Sequence, residues 1–78
     1  DEADRVIQIA DQILLNDPCN EEALLYKIKA LIYQNNFKLA RYVYDRFCAL
    51  YQEMYGEAFP SSFEQVVPSP LMSQQSPQ

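Results

Sequence analysis

Two helix-breaking points divide this chain into short rods. Asp17-Pro18 and Asn35-Asn36 interrupt an apolar rhythm of helical period, and Gly56 with Pro60 closes it. Proline lacks the N–H that a continuing helix needs, and it drives the residue before it out of the helical region. Asparagine tolerates a left-handed backbone at a helix end and caps the helix that follows. The connections are therefore only a few residues long, which makes successive helices antiparallel neighbours. Tyr42-Val43-Tyr44 favours a strand on propensity, but it sits inside a long segment of helical period.

The first rod is expected over 3–16, with Val6, Ile9, Ala10, Ile13 and Leu14 recurring on one side. Ile7 and Leu15 widen that apolar arc, so this helix wants neighbours on two sides. The second spans 21–34. Asn20 is its N-cap, Glu21 and Glu22 favour the positive end of its dipole, and Leu24, Leu25, Ile28, Leu31 and Ile32 form its core face. Ala23 and Ala30 are small enough to admit a close crossing. The third spans 37–55, with Ala40, Tyr44, Phe47, Tyr51 and Met54 inward and Val43 and Leu50 beside them. Lys38, Arg41, Asp45, Arg46, Gln52 and Glu53 face water, and Gly56 caps the C-terminus. A short turn of helix over 62–67 is predicted behind a capping box of Ser61 and Glu64. These rods make one helical domain, 1–67. The Pro/Ser/Gln-rich stretch 68–78 reads as a disordered tail.

Seventy-eight residues fit one small domain of slender stability. The net charge is −5, from 11 acids and 6 bases. Independent nucleic-acid binders carry a basic face or stripe, so direct nucleic-acid contact is not expected. The bases are nonetheless concentrated: Lys27, Lys29, Lys38 and Arg41 lie between Leu24 and Tyr44, where no acid occurs. No apolar run approaches the roughly 18 residues of a membrane span. Two cysteines without a dense disulfide pattern predict a reducing, cytoplasmic setting. The chain opens on Asp rather than Met, and Asp1-Glu2-Ala3-Asp4 reads like a helix already approached, as in a piece of a longer or processed chain.

Ala23, Ala30, Asn35, Phe37, Ala40 and Tyr44, spaced as they are, resemble a tetratricopeptide repeat, with Asp17-Pro18 resembling the end of the preceding repeat. A closer resemblance is to the bacterial transcriptional activator domain of SARP-type regulators, a tetratricopeptide-like module. It rests on Asp17-Pro18, Glu21-Glu22-Ala23, Ala40, Tyr44, Leu50, Gly56 and Pro60-Ser61, and it covers about Val6 to Val67. In such regulators this region follows a winged-helix DNA-binding domain. The resemblance therefore implies a regulatory or self-association role, with DNA contacted elsewhere and only the last two hairpins or so represented here.

Chemistry is sparse. The chain has no histidine, the commonest general base and a common neutral metal ligand. Cys48 has no evident base partner, and two cysteines without histidine do not make a zinc site. Cys19 precedes a helix N-terminus, a position that lowers a thiol pKa; against that stands the reading of two ordinary thiols. Glu21 and Glu22 are adjacent, do not share a helix face, and suit capping. No catalytic, metal or cofactor site and no small-molecule ligand is expected.

The surface is a better place for function. Tyr26, Lys29 and Tyr33 are expected to line an exposed groove on the second helix, against the alternative that Tyr33 packs on Phe37 at the turn. In the first helix, part of the set Val6, Ile7, Ile13 and Leu14 is expected to remain exposed and to dock to upstream helices or to a second copy. The sequence thus predicts an all-α fold of antiparallel, tetratricopeptide-like hairpins: three helices plus a short C-terminal turn. Pro18, Ala23, Ala40, Tyr44, Gly56 and Pro60 form its structural frame. The expected role is protein–protein interaction within a bacterial transcriptional regulator, by dimerisation or by relay to a separate DNA-binding domain. The rival is a general tetratricopeptide scaffold that binds a peptide outside transcription.

Overall fold

A computed structural model describes residues 1–67; the predicted tail at 68–78 lies outside them. The fold is all-α. Three long helices, α1 (Glu2–Asn16), α2 (Glu21–Tyr33) and α3 (Phe37–Tyr55), are followed by the short α4 (Phe63–Val66). The described residues include no strand. Each boundary has a local cause. The Asp1 carboxylate accepts from the Ala3 N–H, and the Asn20 side chain accepts from the Ala23 N–H, so both helices begin with a free donor satisfied. At the end of α2, Asn35 turns left-handed at φ 62°. Its N–H and that of Asn36 bond back to the carbonyls of Ile32 and Leu31, each at 2.8 Å. That double closure is a Schellman ending. Gly56 ends α3 at φ 74°, a conformation that costs glycine little.

The helices stand antiparallel. Lys27 meets Asp11, and the Gln34 amide donates to Asp4, so α2 runs down while α1 runs up. At the other seam the Cys19 thiol, just before α2, lies 3.5 Å from the Met54 sulfur near the end of α3. The core is the α2 stripe Leu24, Ile28 and Leu31, all fully buried. Cys19, Ala40, Phe47 and Val66 close around it. Ala3 and Ala10 of α1 and Ala23 and Ala30 of α2 are buried, which permits close approach of the backbones.

Four expectations need correction. The α4 capping box is Ser62 with Gln65, one residue later than Ser61 with Glu64. Gln serves as well as Glu at that position, and the Ser61 carbonyl is already held by the Tyr44 hydroxyl. Asn36 makes no side-chain cap on α3, because its place is set by the Schellman closure. Ile9 and Ile13 face solvent rather than the core; Ala3 and Ala10 take the side toward α2, with Ile7 packed against the core. Met54 is 55% exposed, because the 19-residue α3 outruns the 13-residue α2.

A return loop after Gly56 supplies a part of the core that helical periodicity does not reveal. Phe59 sits among α3 aromatics, with ring centroids 5.0 Å from Phe47 and 5.1 Å from Tyr51. Phe63 of α4 lies 5.4 Å from Tyr44 in an edge-to-face pair. Such contacts add to simple burial. Ile28→Ala should lower stability by about 2–5 kcal/mol, because the site is sealed and cannot collapse freely. Tyr33→Ala, at an 81% exposed position, should shift it by less than about 0.5 kcal/mol. Urea titration followed by circular dichroism separates the two, and equal losses would contradict this packing.

Candidate interaction surface

Because α1 and α3 both lean on α2, an open groove of about 890 Å³ is left between them. Leu14 and Pro18 form one wall, Leu24 and Lys27 the floor, and Val43, Phe47 and Leu50 the other wall. Tyr42, Arg46, Gln52 and Glu53 also line it, from the outward side of α3. Lys27 is paired with Asp11 and Leu24 is fully buried, so the open apolar surface of the groove lies on its walls, at Pro18, Leu14, Val43 and Leu50. The Arg46 guanidinium lies 6.0 Å from the Tyr42 ring centroid, at the outer limit of a cation–π contact. Among the described residues, neither Arg46 nor Glu53 forms an ion pair.

The sequence-predicted residues fall in three places. Tyr26, Lys29 and Tyr33 are exposed together on the outward face of α2, Tyr26 at 56%. They line no part of the groove, and Tyr33 does not stack on Phe37, which is itself exposed. Leu14 is half-buried and belongs to the groove wall. Ile7 is half-buried against the core; of the α1 set expected to stay exposed, Ile13 is exposed, and Ile9 and Leu15 are exposed as well. Of the frame residues, Ala23 and Ala40 are buried, Pro18 and Pro60 are exposed at the chain reversals, and Gly56 is the left-handed cap. The sequence places Arg46 and Glu53 facing water, and both are exposed, but it does not bring them together at a groove. Their seven-residue spacing, which returns to nearly the same helix face, was the available signal.

Cys19 and Cys48 are both free thiols. Burial, reinforced by the Asp17 charge, pushes the Cys19 thiol up rather than down, so proximity to a helix N-terminus does not activate it. Among the described residues, no group of three or more His, Cys, Asp or Glu side chains is placed to hold a metal ion, and no helix is long and apolar enough to cross a membrane. No protein-family model, curated protein or solved structure matches this chain.

Tyr44 ties α3 to the return loop on the side away from the groove. Its hydroxyl donates to the Ser61 carbonyl. Burial is the main cause that pushes the phenol up to about 12, with the neighbouring Cys48 and the Asp45 charge adding to it and Arg41 opposing. A proton held more tightly in the folded state stabilises the fold fully below the ordinary tyrosine value near 10, and this contribution is lost as pH rises toward 12. Tyr44→Phe should cost about 1 kcal/mol near neutral pH through the lost hydrogen bond. It should also flatten the fall in stability across that alkaline window. Denaturant titrations at a series of alkaline pH values check this, and an unchanged slope would contradict it.

Proposed function

We propose that this chain is a non-catalytic protein–protein interaction module, tetratricopeptide-like in construction, belonging to a cytoplasmic bacterial transcriptional regulator. The observation that carries the interaction role is the open groove between α1 and α3, where half-buried Leu14, Val43 and Leu50 line the walls above the buried Leu24 and Phe47. Apolar clefts between helices receive the apolar face of another helix or a peptide. The exposed tyrosines of α2 offer a second face on the opposite, outward side of that helix.

The transcriptional setting rests on the resemblance carried by Asp17-Pro18, Glu21-Glu22-Ala23, Ala40, Tyr44, Leu50, Gly56 and Pro60-Ser61. In that setting the module would dimerise, or relay a signal to a separate DNA-binding domain. A winged-helix pattern elsewhere in the same polypeptide would support it. A run of regular repeats of about 34 residues would favour a general peptide-binding scaffold instead.

Photocrosslinking tests the interaction role. A photoreactive residue replacing Ala49, exposed at the groove edge, should yield covalent adducts with another polypeptide chain. The same residue replacing Gln12, exposed on α1 and outside the groove, should yield few. No adduct at Ala49, or equal labelling at both positions, would overturn the proposal.

A further inference from the structure

The outward ridge of α3 is complementary to itself. Arg46 and Glu53 are seven residues apart on one helix, which separates them by about 10.5 Å along the axis. Both line the groove, both are exposed, and among the described residues neither has an ionic partner. Ala49 lies between them, exposed and small enough to let a second backbone approach, and half-buried Leu50 stands beside it.

We infer that the occupant of the groove is α3 of a second copy of this chain, packed antiparallel about a two-fold axis that passes between Ala49 and Leu50. This rests on the interaction reading above and names its partner. A two-fold interface presents the same patch on both copies, so each contact occurs twice. Antiparallel packing about that axis sets Arg46 of each copy opposite Glu53 of the other, forming two ion pairs at the rim. Parallel packing would oppose Arg46 to Arg46 and Glu53 to Glu53, so the charges fix both direction and register. Half-buried Val43, Leu50 and Leu14 supply the apolar burial, and the exposed Tyr42 extends it at the edge.

Sedimentation of the full chain tests the inference by complementation. The unaltered chain should form a dimer at about 100 µM. The Arg46→Glu chain and the Glu53→Arg chain should each associate at least about tenfold more weakly, since each now opposes like charges. Mixed in equal amounts, these two variants should form a heterodimer, because every rim pair between them is again of opposite charge. Helical circular dichroism of each variant verifies that both stay folded. An unaltered chain that remains monomeric would overturn the inference, as would single variants that dimerise normally or a mixture that fails to associate. If Ala49 crosslinks to a different protein while the chain stays monomeric, the interaction role stands and the second-copy occupant falls. If Ala49 crosslinks to nothing, the interaction role falls as well.

Discussion

The burial of Leu24, Ile28 and Leu31 is the contact on which the remaining structure depends. Each such side chain contributes about 1.5–3 kcal/mol when fully removed from water. In a domain this small those terms are a large share of the net stability. The three residues lie on the middle helix, so one stripe serves two neighbours. Around that stripe, Ala23 and Ala30 face the α1 side, where Lys27 and Gln34 engage Asp11 and Asp4. Ala40 and Phe47 bring α3 against it, and Val66 closes the remaining side from α4.

This shared core also explains the groove. Two helices that lean on a third from different sides leave a furrow above it unless a bulky ridge fills the space. Here the residues that would have to fill it are half-buried Leu14, Val43 and Leu50, and they line the furrow above Leu24 instead. On the opposite flank of α3, aromatic side chains from the return loop and α4 cover the helix, and Arg41 lies 5.0 Å from the Phe63 ring centroid. One side of α3 is therefore covered by Phe59 and Phe63, while the other stays open along the groove.

The rods themselves were legible in the sequence because their ends are set by residues with local effects. Asn20 caps, Asn35 turns left-handed and Gly56 closes α3, each where its own backbone chemistry places it. Periodicity found the α2 core face for the same reason. It was less informative for α1, where the apolar arc is wider than the contact with α2; which part faces inward is decided by the alanines Ala3 and Ala10. Phe59 lies in irregular chain, where no period signals burial, and its place follows only from the reversal at Gly56. The capping-box shift from Ser61 to Ser62 has a similar origin, since a contact from Tyr44, 17 residues earlier, helps set the register. The groove was illegible because it is a property of three helices together, and no single segment records it.

Native-state hydrogen exchange measures the central claim most directly. If the α2 stripe holds the fold, the amides of Ile28 to Leu31 should be the slowest in the chain and should exchange only through global unfolding. Amides in the first turns of α1 and the last turns of α3 should open earlier. Exchange at Ile28 to Leu31 as fast as at those ends would contradict a fold organised around the middle helix.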